Sequence, residues 1–373
     1  MAAAGVRGPL RRTGVRRPWR RTGLVLAAGS AALAGAVTVA ACTNGGDDQG
    51  DASAAADSAV TLPPVVTEDT ADPARPVAPL LGLEVDDVAV AERPAMAVKV
   101  GNTDFARPQA GIVQADVVFE EIVEAGLTRL VAVYQSTIPP QIGPIRSARL
   151  TDISVVFPFG QPFFVSSGGN PVTVGAVEQT GLTDVSAAKV PDAFVRHDDR
   201  EVPDDLYVLS EAVYAQDSAL AVAPGPVLFH RPEGVEAGGG GQVEGVEVDY
   251  GETTVAFAWD GDDGVWRREQ NGSPHVDDQG AQVAPQNVIV QFVEYTPTDQ
   301  VDVNGTTVER AVLDGTGGEA WVLTDGMLME GTWFKGNFTN PTTFTSSEDE
   351  TILLTPGRTW VLLAEPGTAE VLE

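Results

Sequence analysis

The stretch ADVVFEEIVEAGLTRLVAVYQS, residues Ala115–Ser136, decides the fold of the first half of the chain. Apolar and β-branched residues fill both of its ends, and Ala125-Gly126 divides it in the middle. Such runs, divided by a glycine, predict two strands joined by a short turn. A helix over Ala115–Glu124 is the competing prediction, because periodicity alone does not settle so short a run.

Strand-like and helix-like segments alternate around this hairpin. AMAVKV (Ala95–Val100) and QPFFVSSGGN (Gln161–Asn170) predict strands that end in turns. PVTVGAVEQTG (Pro171–Gly181) predicts a helix, with proline near its first position and glycine after its end. Strands followed by helices in alternation predict an α/β layered domain.

The composition changes between Pro224 and Gly241, where three prolines precede four consecutive glycines. Beyond this linker, short runs such as TTVAFAWDG (Thr253–Gly261) and GEAWVLTDG (Gly318–Gly326) are closed by Gly or Asp. Their spacing predicts an antiparallel meander or a small barrel. The predicted fold class is therefore α+β, with an N-terminal α/β layered domain followed by a mainly antiparallel β C-terminal domain. The predicted organisation is a lipoprotein signal peptide over 1–41, a disordered tether over 42–84, the N-terminal domain over 85–232, a Gly-rich linker over 233–244 and the C-terminal domain over 245–373.

The first 41 residues have the pattern of an export signal. Every basic residue before Cys42 is an arginine, and an apolar, alanine-rich run from Gly23 to Ala41 follows them. Val39-Ala40-Ala41-Cys42 resembles the bacterial lipobox, in which the thiol receives a diacylglycerol and becomes the mature N-terminus. We expect lipidation at Cys42 and a location at the outer face of the cytoplasmic membrane. An uncleaved transmembrane anchor is the alternative, and either Sec or twin-arginine export fits the signal.

The segment from Thr43 to about Pro79 is rich in Gly, Asp, Ser, Ala and Pro and has no apolar periodicity. A segment of this composition cannot bury enough apolar surface to offset its chain entropy. It predicts a flexible tether that holds the folded part away from the membrane.

The charge balance excludes nucleic acid as a partner. The chain has 53 acidic and 23 basic residues, a formal net charge of −30. Such a surface repels phosphate backbones. The single cysteine, Cys42, excludes an intramolecular disulfide and a zinc–thiolate site, and we predict no cofactor. The sequence also lacks G-x-S-x-G and Walker motifs.

A paired cation stands out in this acidic chain. In QIGPIRSARLTD (Gln141–Asp152), Arg146 and Arg149 lie three residues apart, and Asp152 follows at the same spacing. If the segment after Pro144 forms a helical turn, this spacing places all three side chains on one face. Two guanidinium groups side by side bind a phosphate or carboxylate in bidentate fashion.

The predicted ligand-binding residues are these three together with Arg107, Arg129 and Asn102. The alternative is that the arginines pair with Glu120, Glu121 and Glu124 and only stabilise the fold. Both interpretations hold in part if the arginine-rich cleft is lined by carboxylates.

The sequence predicts no metal site, and its one candidate is the group around His275. His275, Asp277 and Asp278 carry groups that ligate divalent cations. A histidine after a proline in a turn more often caps a loop, and we favour that interpretation here. Trp259–Trp266, WDGDDGVW, likewise predicts a hairpin turn rather than a calcium loop.

Several motifs together resemble the YerB-like lipoprotein family of bacteria, a two-part domain of unknown function. The resemblance covers about Arg93–Leu363, and its carriers are ARPQAGIVQADVVFEEIVEAGLTRLVAVYQS (Ala106–Ser136), IGPIRSAR (Ile142–Arg149), NGSPHVD (Asn271–Asp277), NVIVQFV (Asn287–Val293), GTWFK (Gly331–Lys335) and PGRTWVLL (Pro356–Leu363). It implies an exported, lipid-anchored protein with a two-part fold and no established reaction. Pro203-Asp204-Asp205-Leu206-Tyr207 departs from the family's Pro-His-Asn-Leu-Tyr, so a role for that histidine does not carry over.

Three functions remain open at this point. The favoured one is a lipid-anchored protein that binds an anionic cell-envelope ligand through Arg146 and Arg149. The alternative is a metal-dependent enzyme acting on phosphorylated cell-wall precursors, since the hairpin and Pro-Ile-Arg turn are loosely similar to LytR-CpsA-Psr wall-polymer transferases. The third is a structural partner of another envelope protein, which predicts an exposed apolar patch.

The lipobox interpretation is tested at Cys42. Cys42→Ala should leave an unprocessed precursor that fatty acid does not label, because the acylated thiol is missing. Metabolic labelling followed by mass analysis of the N-terminus measures both effects. A variant that is still labelled and cleaved at the same position would overturn the interpretation.

Overall fold

The computed structural model describes residues 75–216, 221–302 and 305–373. The predicted signal peptide, Cys42 and most of the predicted tether lie outside these residues. The described residues belong to one compact unit. Within them, no helix combines the length and the apolar character needed to span a bilayer.

Short strands dominate the described part of the chain. In the first half, strands β1–β10 are Val77–Ala78, Leu83–Glu84, Met96–Gly101, Val117–Ile122, Thr128–Tyr134, Gln141–Ile142, Phe163–Ser166, Thr183–Ser186, Phe194–Arg196 and Leu206–Leu209. Helices α1–α4 are Val88–Glu92, Thr151–Val156, Pro171–Thr180 and Ser210–Tyr214. Short 3₁₀ helices cover Ile112–Gln114, Glu124–Gly126, Phe157–Phe159 and Pro191–Ala193.

The second half is built from strands. Strands β11–β23 are Gly241–Gln242, Gly245–Asp249, Thr254–Asp260, Val265–Gln270, Ser273–Pro274, Asn287–Phe292, Tyr295–Val301, Thr307–Ala311, Thr316–Thr324, Met327–Lys335, Thr343–Ser346, Thr359–Ala364 and Ala369–Leu372. The predicted fold class is confirmed, because the N-terminal part is α/β and the C-terminal part consists mostly of antiparallel sheets.

One large sheet organises the unit. Its strand order is β11-β20-β19-β16-β22-β4-β5-β3-β7-β8, and β21 pairs with β20. Strands β3, β4, β7, β8, β16 and β22 run in the same direction, whereas β5 and β19 run against them. Strands β12–β15 and β23 form a second, antiparallel sheet with the order β15-β14-β13-β12-β23.

The hairpin predicted over Ala115–Ser136 is present. Strands β4 and β5 pair antiparallel, and Glu124–Gly126 turns the chain between them. Gly126 has φ 71°, and a Cβ there would lie 2.9 Å from the carbonyl oxygen of Tyr250, so a larger residue does not fit. The competing helix over Ala115–Glu124 is therefore wrong, because β-branched residues buried on both faces favour the strand.

The predicted helix after Gln161–Asn170 is also present. Asn170 caps α3 by accepting the Thr173 backbone N–H at 2.8 Å, and Pro171 occupies the first turn. Gly181 ends the helix in the left-handed region at φ 75°.

Parallel pairing of β22 with β4 joins the two halves of the chain. Trp360 lies opposite Val118, and Leu362 lies opposite Glu120. The segments predicted as domains, 85–232 and 245–373, therefore share this sheet and its core. Residues as distant in sequence as Val98 and Leu362 belong to the same buried cluster.

A protease should cut first in the linker, where residues 232–236 and 238–242 are exposed, or in the predicted tether. We expect the two fragments to stay together in native size-exclusion chromatography, because the β22–β4 pairing remains intact after cleavage. Denaturing electrophoresis of the same peak would show two bands. Fragments that separate under native conditions, or first cuts within Ala115–Ser136, would contradict this account.

Candidate functional site

The arginine turn is extended and not helical. Its backbone bonds to neighbouring segments: the Ile145 N–H donates to the Leu206 carbonyl at 2.7 Å, and the Arg146 N–H donates to the Lys99 carbonyl at 2.8 Å. Pro144 supplies no N–H, and helix α2 begins only at Thr151. The prediction that Arg146, Arg149 and Asp152 share a helical face is therefore wrong, since these backbone groups are already used between elements.

Gly143 explains why the turn approaches the protein so closely. A Cβ at this position would lie 2.5 Å from the ring of Tyr207. Only glycine leaves room for that ring, so Gly143 allows the turn that carries Arg146 and Arg149 to lie against Tyr207.

Three glutamates in β4 and in the turn after it each pair with a different buried cation. The Arg268 Nη2 lies 3.0 and 2.9 Å from the two carboxylate oxygens of Glu120 and donates to them. Glu120 also accepts the indole N–H of Trp360 at 3.1 Å. Asn102 and Thr128 donate to the same carboxylate at 2.9 and 2.8 Å. Glu120 and Arg268 are fully buried, so this pair links the two halves in a dry environment.

Glu121 forms an ion pair with Lys99. The Lys99 ammonium contacts Glu121 and also lies 2.7 Å from Asp152, and all three side chains are buried. One cation thus serves two carboxylates. Burial raises the pKa of Glu121 and the negative charge of Asp152 adds to this rise, although Lys99 opposes it. Glu121 is therefore protonated more readily than an ordinary glutamate.

Glu124 takes the third cation. The Arg149 Nε and Nη2 donate to its two carboxylate oxygens, each at 2.7 Å, in a bidentate pair. Burial alone would raise the pKa of Glu124, but the hydrogen bonds and charge of Arg149 outweigh it, and the pKa is lowered. Asp152 accepts the Arg149 backbone N–H at 2.7 Å, so Arg149 is held at both ends.

Arg129 and Arg146 have no carboxylate of their own among these three glutamates. Arg129 lies 3.8 Å from Glu124, which Arg149 already occupies, and donates to the Ser147 carbonyl at 3.1 Å. Arg146 lies 3.5 Å from Asp204. Burial and the neighbouring charges of Arg149 and Arg146 lower the pKa of Arg129 to about 10, although Glu124 opposes this fall. The cluster of Arg129, Arg146 and Arg149 is therefore short of negative charge.

The cluster lies where the parallel strands end. Arg129, the second residue of β5, lies opposite Gly101, the last residue of β3. The Ser167 N–H, just after β7, donates to the Arg146 carbonyl at 3.0 Å, and the Ala148 N–H donates to the Gly168 carbonyl at 2.8 Å. In open α/β sheets this edge is the usual place for ligands.

The loop Ser166–Asn170 leaves space beside the arginines. A Cβ on Gly168 would meet no atom within 4 Å, and Gly169 is exposed. The side chains of Arg129 and Arg146 keep 13% and 19% of their surface accessible. Both side chains thus keep part of their surface in contact with solvent.

Of the other predicted ligand-binding residues, three lie inside the protein and Arg107 is partly exposed. Asn102 and Asp152 are buried within the networks of Glu120 and Lys99, and Arg149 is closed off by Glu124. Arg107 pairs with Asp104 in the loop after β3. Its charge acts on His275, whose pKa is lowered by burial, then by Arg268 and then by Arg107. Of the six predicted residues, the structure brings Arg129 and Arg146 together as accessible cations.

His275 lies in the core and not in a solvated turn. Its Nε2 lies 2.7 Å from the Gln109 side-chain oxygen, and its Nδ1 faces Arg268. Asp277 receives the N–H groups of Gln279 and Ala281. Both residues are thus engaged by protein groups, and the described residues contain no cluster of three potential metal-ligating side chains.

Sequence reasoning missed Lys99, Arg268 and Asp204. Lys99 stands in an apolar strand and Arg268 in a distant hairpin, so nothing local marks either as a partner of the glutamates. Asp204 lies in Pro203-Asp204-Asp205-Leu206-Tyr207, the segment that departs from the motif implied by the sequence resemblance. Burial raises its pKa, while the charges of Arg146, Arg200 and Arg129 oppose the rise. The departure from the family motif was the available signal for Asp204.

Comparison with known families agrees with this architecture. The model of the protein of unknown function (DUF3048) N-terminal domain matches residues 80–222, and the model of its C-terminal domain matches residues 246–361. The chain belongs to the DUF3048 family. The arginine turn and the glutamates fall within the N-terminal match, whereas Arg268 and Trp360 fall within the C-terminal one.

The YerB protein of Bacillus subtilis is similar to this DUF3048 protein both in sequence and in structure. The chain is 28% identical over 297 residues to "Putative lipoprotein YerB" of strain 168, a match that covers 76% of this chain and 85% of the relative. The crystal structure of the YerB protein aligns with a TM-score of 0.69 at 24% identity, over 80% of this chain and 99% of that one. The structural match establishes the shared fold.

Glu121 and Glu124 should have opposite effects on how the free energy of unfolding depends on pH. The pKa of Glu121 is raised in the folded state, so the free energy of unfolding falls as pH rises from the ordinary glutamate value through the raised one. Glu121→Gln should remove this fall, and its melting temperature relative to wild type should increase from about pH 4.5 to pH 8.

Glu124→Gln is the matched comparison. The lowered pKa of Glu124 gives stability above the ordinary glutamate value that is lost as pH falls through the folded pKa. This variant should be less stable than wild type at neutral pH and approach it in acid. Thermal unfolding followed by circular dichroism measures both. Parallel curves for the two variants would contradict the charge assignments.

Proposed function

We propose that this protein is an exported lipoprotein that binds an anionic cell-envelope ligand at the surface formed by Arg129, Arg146 and the loop Ser166–Asn170. Cys42 carries the lipid and places the protein at the outer face of the cytoplasmic membrane. The tether then holds the binding surface away from the lipid head groups.

The observation that carries this proposal is that the carboxylates beside Arg129 and Arg146 are Asp204, at 3.5 Å from Arg146, and Glu124, which Arg149 already occupies. Glu120, Glu121 and Glu124 are engaged by Arg268, Lys99 and Arg149. In a chain with 53 acidic residues, two partly accessible arginines beside a fully engaged glutamate are an exception. An anion supplied from outside would complete their neutralisation.

The chemistry of the surface favours a phosphate-bearing group. Two guanidinium groups offer planar donor forks, which match phosphate or carboxylate oxygens. The glycine-rich loop lies at the start of α3, where the helix dipole favours negative charge. A diphosphate carries enough charge to engage both arginines at once.

The anchor rests on the sequence and on the relative. Cys42 follows small residues at the end of an apolar run, as a lipobox requires. The name of the B. subtilis relative, "Putative lipoprotein YerB", is consistent with a membrane-anchored, exported protein.

The alternative is a metal-dependent enzyme acting on phosphorylated cell-wall precursors. Its arginines would hold the substrate in the same place, and an added metal would neutralise the charge that develops on the transferred phosphoryl group. Incubation of wild type with pyrophosphate and Mg²⁺ separates the two functions. Release of orthophosphate, lost in Arg146→Gln, would favour the enzyme.

Arg146→Gln should weaken binding of pyrophosphate, used here as a probe. One charge-assisted contact contributes about 1.5–3 kcal/mol, so the affinity should fall roughly tenfold to a hundredfold. Calorimetric titration of the wild type and the variant measures this. Melting without the probe should change little, because Arg146 meets Asp204 only at 3.5 Å.

Two further variants serve as controls. Arg267→Gln removes an exposed arginine that pairs with Asp260 and Asp263, and it should bind pyrophosphate like wild type. Arg149→Gln should unfold more easily, because Glu124 would remain buried without its partner. Equal affinity in wild type and Arg146→Gln would refute the proposed site.

A further inference from the structure

A second opening lies between the two halves of the chain, away from the arginine cluster. It is a cavity of about 330 Å³, and its walls include Ile112, Gln114, Val118, Val283, Arg358 and Trp360. The volume falls within the range of small-molecule sites in proteins. Gln114 belongs to the 3₁₀ helix Ile112–Gln114, whereas Arg358 precedes β22.

The guanidinium group of Arg358 has no partner among the described residues. It forms no ion pair there, and its Nε is buried without a hydrogen bond. Asp116 is a nearby acid. Burial raises its pKa, and its hydrogen bonds and the charge of Arg358 oppose this rise. That carboxylate already accepts the N–H groups of Gln135 and Ser136, each at 2.7 Å. A buried donor without an acceptor is costly, so a missing acceptor is indicated.

The backbone of Arg358 is fixed in place. Its N–H donates to the Gln286 side-chain oxygen at 2.8 Å, and its carbonyl accepts the N–H groups of Gln286 and Asn287, each at 3.1 Å. The indole of Trp360 is held by Glu120 at 3.1 Å. One polar group and one aromatic wall of the cavity are thus positioned before any ligand arrives, which favours binding.

The Gln114 side chain supplies a complementary polar atom. Its Oε1 is buried and has no hydrogen-bond partner, although it lines the same cavity. An unsatisfied acceptor needs an N–H or O–H donor. The cavity therefore offers a cation, an acceptor and apolar walls from Ile112, Val118 and Val283.

We propose that this cavity binds a small organic monocarboxylate that carries an N–H or O–H donor and an apolar portion. The carboxylate pairs with Arg358, the donor reaches Gln114 Oε1, and the apolar portion packs near Trp360. A monoanion is favoured over phosphate, because Arg358 is the one cation among the residues that line the cavity. The proposal does not depend on the arginine cluster.

N-acetyl-leucine combines these three features and serves as the probe. Saturation-transfer NMR with the mature protein should show transfer to its methyl groups. Arg358→Gln should weaken binding roughly tenfold or more, since it removes a charge-assisted contact. Gln114→Glu should also abolish the signal, because the new carboxylate would occupy Arg358 and repel the ligand.

Controls separate this site from general charge effects. Arg310→Gln removes an exposed arginine on β18 and should bind the probe like wild type. N-acetyl-leucinamide, which lacks the carboxylate, should not displace the probe, whereas acetate should.

Three results would overturn the proposal. They are no transfer to the probe in wild type, equal binding in wild type and Arg358→Gln, and displacement of the probe by inorganic phosphate at concentrations where acetate has no effect. Melting curves of the variants without probe should match wild type within a few degrees. An unfolded Arg358→Gln protein would leave Gln114→Glu to decide the outcome.

Discussion

The pairing of three glutamates with three buried cations is the constraint on which the rest of the structure depends. Glu120 and Glu121 lie in β4, a buried strand in the centre of the sheet, and Glu124 lies in the turn that follows it. Unpaired charge there is very unfavourable, so each carboxylate must meet a cation. Arg268 comes from the C-terminal half, Lys99 from the neighbouring region of the sheet and Arg149 from the arginine turn. These pairs hold the two halves and the turn in register.

Charge balance at this strand also determines which groups face solvent. Arg149 occupies Glu124, and Arg129 and Arg146 surround it without an equivalent partner. The structural and the functional interpretations of the arginines thus both hold, but for different residues. Arg149 stabilises the turn, whereas Arg129 and Arg146 form the accessible surface. The separate cavity at Arg358 follows the same logic, since its guanidinium also lacks a described partner.

Much of the fold was predictable from local sequence. The β4–β5 hairpin follows from apolar runs around Gly126, and α3 follows from Asn170, Pro171 and Gly181, because such signals act between near neighbours. The candidate site was predictable only in part. The charge pattern marked Arg129 and Arg146, but the partners of the glutamates depend on tertiary pairing; Arg268 lies 148 residues from Glu120. The extended arginine turn likewise depends on backbone bonds to Lys99 and Leu206, which spacing alone does not reveal.

The most direct test of this account is a crystal structure of the mature protein grown with pyrophosphate. We predict density for the anion between the guanidinium groups of Arg129 and Arg146, beside Gly168 and Gly169. Arg149 should remain on Glu124 in that structure, and Lys99 should remain between Glu121 and Asp152. Density for the anion elsewhere, or an unoccupied surface with Arg146 still turned to Asp204, would contradict the central claim.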